Sequence, residues 1–531
     1  RAPLTAWARA LRERAADPAE PLGALQAYAL DEAIAALAQR YPDPELQTCD
    51  GPELRVWVDR ERAAFSSWYE MFPRSASFEP GRHGTFDDVA ARLPYVAELG
   101  FNVLYLPPIH PIGRIQRKGR NNALVAEPGD VGSPWAIGAE EGGHTAILPA
   151  LGTAADFRAL VGQAAALGIE IALDIAFQCA PDHPWVKQHP QWFRWRPDGS
   201  VQYAENPPKK YQDIYPFDFE SADWQALWLA LKGVFDHWIG EGVKIFRVDN
   251  PHTKAFPFWE WVVGEIKREH PDVLFLAEAF TRPKVMHRLA KLGYSQSYTY
   301  FTWRNTRAEL IDYFTELHDG PGRHYFRPNV WPNTPDILNE HLHGAPRQVF
   351  MTRLLLAATL SGNYGIYGPA YELMWSQPRE PRSEEYLDSE KYQIRAWELD
   401  RGDSLRGFIT LVNRARRDHG ALQAGSTLQF LPVDNDQLIA YFRRSADGAS
   451  VIVGVVNLDR HHAQSGWVHL DAALLGDVGA DGFEVDDLLT GQVFRWRAGG
   501  NFVALDPAGM PAHLLHLRLP TGPGHVAGGM A

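Results

Sequence analysis

The chain is poor in cysteine: its 531 residues hold two, Cys49 and Cys179, far apart and without metal-site spacing. That excludes a disulfide framework and a structural zinc centre. No apolar run is long enough to span a bilayer and no signal peptide opens the chain, so the expectation is a cytoplasmic protein with no membrane role. Positive charge is also in deficit, with 52 Lys and Arg against 65 Asp and Glu and a formal net charge of -13. Such a balance argues against nucleic acid as a partner, although it leaves room for a local basic pocket. There is no internal repeat. The first residue is Arg1 rather than Met, so the N-terminus reads as a fragment or a trimmed end.

What is present is ordinary in bulk and unusual in detail. The length calls for two or three domains, and 45% apolar with 22% charged residues is typical of a globular chain. The 18 Trp, 19 Tyr and 26 Phe are many; beyond filling cores, such an excess suits stacking on flat, weakly polar ligands such as sugars. Residues 1 to about 50 are Ala-rich, with Leu30, Ile34, Leu37 and Tyr41 at helical spacing and Pro42 and Pro44 closing the run. Leu54, Val56 and Val58 then alternate as in a strand, and 1–68 reads as the tail of an N-terminal domain.

From Tyr69 the pattern alternates strand and helix. Expected strands at 69–73, 103–106, 169–175, 243–248 and 274–278 are separated by helical runs, two of which open on the box-like pairs Thr85/Asp88 and Thr153/Asp156. Weaker candidates follow at 298–302, 348–351 and 364–367. This alternation predicts an α/β fold, a (β/α)8 TIM barrel over 69–424, with long inserted loops at about 107–150 and 178–218. After residue 424 short strands separated by turns predict a β-sandwich over 425–519, and 520–531 reads as a flexible tail.

Two of these strands end in acids. Arg247 precedes Asp249 by two residues, so both side chains point the same way. An arginine held against a carboxylate favours its charged form, as a carboxylate nucleophile requires. The next strand ends in Glu278, which places two carboxyls at one barrel mouth. The plainer alternative is a buried Arg–Asp pair that only fixes a strand end.

Phe246-Arg247-Val248-Asp249, Phe275-Leu276-Ala277-Glu278 and Leu173-Asp174 resemble conserved strands of glycoside hydrolase family 13, the α-amylase superfamily. The segments 107–113, 117–122, 130–135, 178–185 and 205–213 narrow the resemblance to the α-1,4-glucan:maltose-1-phosphate maltosyltransferases. The resemblance implies Asp249 as nucleophile, Glu278 as acid/base and Asp336, in Trp331-Pro332-Asn333-Thr334-Pro335-Asp336, as transition-state stabiliser. Pattern alone reads Asp336 as a helix cap or turn residue. Lys118, Gln178, Lys391 and Tyr392 match positions that hold the maltosyl unit. Asn206, Lys209, Tyr211 and Asn250 offer donors for a phosphate dianion, although Lys209-Lys210 alone reads as a solvated pair. Gln178-Cys179 and Pro335 stand where hydrolases carry Asn-His and His, which weakens a plain amylase reading. The implied substrates are α-maltose 1-phosphate and a malto-oligosaccharide or α-1,4-glucan acceptor, with no cofactor or metal, acting as a homodimer in α-glucan (glycogen) synthesis. The alternatives are a hydrolase or trehalose-forming isomerase of the same superfamily, and a non-catalytic carbohydrate-binding protein.

Overall fold

A computed structural model describes residues 2–41, 51, 56–206, 209–475 and 482–519, without the side chains of Asn206 and Lys209. Cys49, Pro42, Pro44, Leu54 and the tail 520–531 lie outside the described residues. The chain forms two units, Arg1–Trp57 and Val58–Ala531.

The first unit holds three helices, Ala2–Ala16, Leu22–Ala29 and Glu32–Arg40, in which no residue is buried. The continuous helical spacing from Leu30 is interrupted at its start. Asp31 accepts the Ile34 N–H at 3.0 Å and caps a new helix, which leaves Leu30 in the turn. The strand expected over 54–58 is not formed in its described part: 56–58 is irregular, with Val56 and Val58 exposed.

The second unit is built on a closed parallel barrel of eight strands. In chain order they are Ser66–Glu70, Val103–Leu106, Glu170–Ile175, Ile245–Asp249, Leu274–Glu278, Gln296–Tyr298, Pro328–Val330 and Asn363–Tyr367. The first and eighth close the ring in the register Ser66↔Asn363. Inward side chains fill it in levels. At the bottom Ser66 donates to Asn363 (2.8 Å) and Asn329 to Gln296 (2.8 Å). Next come Trp68, Tyr105, Tyr298 and Trp331, with Tyr298 and Trp331 stacked at 5.2 Å. A polar floor that includes Glu70 and Arg247 lies above. A plugged barrel has no pore, so its chemistry belongs to the C-terminal mouth.

Helices Phe86–Glu98, Ala154–Ala166 and Arg307–Asp319 open on complete capping boxes at Thr85, Thr153 and Thr306. Three expected strands need correction. The first begins at Ser66 rather than Tyr69, because two polar but buried serines enter the ladder. The sixth ends at Tyr298, since Phe301–Trp303 is a tight helical turn. Residues 348–351 are not a strand at all but the start of helix Arg347–Thr359, and the seventh strand is Pro328–Val330. Every residue of that helix from Val349 to Thr359 is buried. On one face the Phe350 carbonyl accepts from the Tyr371 hydroxyl (2.7 Å), and Thr359 meets Tyr441 of the C-terminal sheets (2.6 Å). A helix covered on all sides shows no amphipathic period.

Beyond helix Arg406–Asp418, a six-stranded antiparallel sheet packs on a two-stranded one, Gln464–Leu470 with Gly499–Leu505. Phe442, Val453 and Val455 meet Val468, Leu470, Val503 and Leu505 between them, which makes this region a β-sandwich. Strand Phe483–Asp487 was not expected, although Phe483 and Val485 alternate with Glu484 and Asp486; its third inward position is an acid, Asp487, which is buried.

Candidate active site

The fourth strand points Ile245, Arg247 and Asp249 inward, and the last two reach the mouth. One guanidinium nitrogen of Arg247 lies 2.9 Å from Asp249 Oδ1 and 2.9 Å from Asp174 Oδ2. The other lies 3.4 Å from Glu278 Oε1. Three neighbouring strands thus present three carboxylates to one buried cation, in the registers Asp174↔Arg247 and Asp249↔Glu278. One charge cannot neutralise three, so the cluster favours keeping a proton on at least one acid.

The acids differ in surroundings. Burial raises Asp174 against the pull of Arg247, leaving it at about 6; Tyr105 and Trp135 donate to its Oδ2. Burial likewise raises Glu278, Arg247 draws it down and the Asp249 charge pushes it up again, to about 7. Glu278 also accepts the Asn250 N–H at 3.1 Å. Asn250 adopts the left-handed region (φ 42), which asparagine tolerates and Pro251 follows, and this kink aims the N–H at the neighbouring strand. The free face of Asp249, Oδ2, receives Gln178 Nε2 (3.3 Å) and Asn250 Nδ2 (3.4 Å).

The opposite wall of this cavity, about 280 Å³, is made of loops. Asp336, in the segment after the seventh strand, accepts the Lys391 ammonium at 2.7 Å. Burial disfavours that charge, but Asp336 outweighs it and holds Lys391 well above the usual lysine value. The ammonium lies 5.0 Å from the Trp135 ring and 5.9 Å from those of Tyr211 and Tyr392. Burial raises the Tyr211 phenol to about 12 and the Tyr392 phenol further.

Asp249, Arg247, Glu278, Asp336, Gln178, Asn250, Tyr211, Lys391 and Tyr392 therefore come together. Lys118 does not join them directly. It is buried and donates at 2.6 Å to Gln212, the residue after the hairpin Ala204–Asn206/Lys209–Tyr211. Asn206 and Lys209 are paired ends of that hairpin; their side-chain roles fall outside the described residues. Cys179 is a buried free thiol whose pKa burial raises. Among the described residues no cluster of three or more His, Cys, Asp or Glu could hold a metal ion.

Three contributors escaped the sequence. Trp135 lines the cavity from within the long loop, where no periodicity marks it. Lys254 is half-buried and donates to the carbonyls of Asp249 (3.1 Å) and Asn250 (3.2 Å), fixing the kink after the strand. Glu70 ends the first strand, buried and pushed well above the carboxyl range by desolvation. Starting that strand at Ser66 would have revealed Glu70 as inward, two residues after Trp68.

Comparison with known proteins follows the same division. The family model "Alpha amylase, catalytic domain" matches residues 69–230, and "GLGE, C-terminal" matches 430–517. A protein of Chlorobaculum tepidum named alpha-1,4-glucan:maltose-1-phosphate maltosyltransferase is 56% identical over 93% of this chain and 74% of its own. One of the same name from Methylacidiphilum infernorum is 55% identical over 91% and 72%. Among solved structures, the maltogenic α-amylase AmyB of Thermotoga neapolitana shares the fold, with a TM-score of 0.66 at 17% identity over 87% of this chain and 100% of its own.

Proposed function

The chain belongs to the α-1,4-glucan:maltose-1-phosphate maltosyltransferases, within the α-amylase superfamily, and from that premise we propose that it moves a maltosyl unit from α-maltose 1-phosphate to the non-reducing end of an α-1,4-glucan, releasing phosphate. The observation that carries the chemistry is the single guanidinium shared by Asp174, Asp249 and Glu278.

Asp249 attacks the anomeric carbon, the bond to the phosphate oxygen breaks, and a β-maltosyl ester forms. Glu278, protonated below about 7, can deliver its proton to the departing oxygen. Ester formation removes the Asp249 charge, one of the causes that raised Glu278. Its carboxyl therefore becomes more acidic in the intermediate and serves as base, taking the proton of the acceptor 4-hydroxyl as that oxygen attacks the same carbon. The ester bond breaks and Asp249 returns as a carboxylate. Asp249 and Glu278 are register partners on adjacent strands, and both carboxylates reach the one Arg247 guanidinium, at 2.9 and 3.4 Å. A closely set pair of carboxyls is the arrangement that supports two inversions and net retention. Asp336 and Lys391 would hold hydroxyls of the reacting ring, with Gln178, Lys118 and Tyr392 supporting the maltosyl unit. Asn250 and Tyr211 can donate to the phosphate, and Asn206 and Lys209 complete that set in this reading. A cytoplasmic homodimer belongs to the same proposal.

The test is phosphate release from α-maltose 1-phosphate with and without a malto-oligosaccharide. Release should be slow alone and accelerate with acceptor, and the products should be longer by two glucose units and α-linked. Free maltose as the main product at saturating acceptor would reject the transferase reading.

A further inference from the structure

Arg74 is a buried cation that the chemistry above does not use. It lies just beyond the first strand, in the turn Pro73–Ser75, and is 4% exposed. It donates to main-chain carbonyls: Nη1 to Gly132 (2.9 Å), Nη2 to Glu390 (2.7 Å) and to Lys391 (2.8 Å). Desolvation lowers its pKa to about 10 despite the nearby Glu390 charge. A guanidinium with neutral partners is costly to bury, so what it joins is informative. Gly132 opens the segment that carries Trp135. Glu390 and Lys391 belong to the segment after the eighth strand. The two segments meet again at the cavity, where the Lys391 ammonium lies 5.0 Å from the Trp135 ring and 2.7 Å from Asp336.

We propose that Arg74 is a positioning residue: it clamps the Trp135 loop to the Lys391 segment and so fixes the Lys391–Asp336 pair in the geometry that the reacting sugar needs. The proposal rests on the sugar-holding role given to Lys391 and Asp336. Neither wall strand can supply this geometry, because both partners of the pair are loop residues. Lysine is a poor substitute, since a single ammonium lacks the planar fork that reaches two segments at once.

A double-mutant cycle with Arg74→Met, Lys391→Met and the double variant tests it, read as kcat and KM for α-maltosyl fluoride. Arg74→Met should lower kcat/KM roughly 10- to 100-fold, mainly through KM, and the double variant should be no worse than Lys391→Met alone. Multiplicative losses would overturn the clamp. Arg74→Lys, folded by near-ultraviolet circular dichroism, gives a second arm that does not depend on turnover. Hydrogen exchange should rise in peptides covering 130–135 and 389–392 and stay unchanged in the fourth and fifth strands. Exchange that rises everywhere, or in neither segment, also overturns the clamp. A wild type that turns over neither maltosyl donor, with the exchange pattern as expected, would count against the proposed function and not against the clamp.

Discussion

The two walls of the cavity are held by different means. Arg247, Asp249 and Glu278 stand on strands whose backbone is locked by parallel ladders on both sides, and their mutual geometry follows from register. Asp336, Lys391 and Trp135 stand on loops, and their geometry follows from side chains, among them the Lys391–Asp336 ion pair, the rings around Lys391, the Trp135 bond to Asp174 and the Arg74 clamp. The strand wall is therefore rigid by construction, and the loop wall is rigid only while its tethers hold. Bond-making groups sit on the first wall and sugar-holding groups on the second in the reading proposed here. Substitutions should separate these walls by kind as well as by size.

The largest effect is expected on the strand wall. Asp249→Asn removes the group that bonds to the sugar, and kcat should fall about 10⁴-fold or more. A 2-deoxy-2-fluoro maltosyl fluoride should label Asp249 in the parent and nothing in the variant. Undiminished labelling of the variant would break the assignment.

Next comes Glu278, whose burial and neighbours place it at about 7. In the free enzyme the acid form dominates below that value, so kcat/KM for α-maltose 1-phosphate should fall as pH rises through about 7. Glu278→Gln should cost roughly 10²- to 10⁴-fold and flatten that limb. A limb that persists in the variant belongs to another group, with Asp174 at about 6 the first to test.

Lys391→Met acts on the loop wall and should be milder, about 10- to 100-fold in kcat/KM, carried by KM. The Glu278 limb should stay close to where it is, because burial, Arg247 and Asp249 are the largest causes of its shift and Asp336, the partner of Lys391, stands behind them. A displaced limb would mean the walls are electrostatically one site.

The same division governs what the sequence reveals. Arg247, Asp249 and Glu278 are legible from strand periodicity alone, because a two-residue repeat fixes which side a residue faces. Asp336 and Lys391 have no such repeat around them, and only resemblance to the family pointed to them. Trp135 was missed even so, and nothing in the sequence showed that the Lys118 ammonium meets Gln212, a contact that loop folding decides. In the fold two of the errors are of one type. Helix Arg347–Thr359 is buried all round, and strand Ser66–Glu70 begins with two buried serines, so neither shows the pattern expected for its kind.

The smallest effect should come from Gln178, which belongs to the loop after the third strand yet reaches Asp249. Its main-chain carbonyl and that of Ala176 both lie 3.0 Å from His144 Nε2, which must therefore carry the hydrogen. Trp185 donates its N–H to His183 Nδ1 at 3.0 Å, so His183 carries its hydrogen on Nε2 and donates to His144 Nδ1 at 3.2 Å. Each ring has one workable tautomer, and a second proton on His144 would set N–H against N–H. Gly138 and Gly143 make room for this bridge, since a Cβ there would come 2.1 and 2.0 Å from the His183 ring. Burial lowers His144 to about 4 and His183 to about 2. The folded rings are neutral where the unfolded chain, at about 6.5, already binds protons. Their contribution to stability is complete above about 6.5 and is lost as pH falls toward about 4. His144→Phe should thus lower kcat/KM only a few-fold near neutrality. The fall in melting temperature between pH 7 and 4 should be shallower in the variant than in the parent, because one of the two titrating rings is gone. Equal slopes would show that His144 is charged in the fold, and the tether of Gln178 would need another owner.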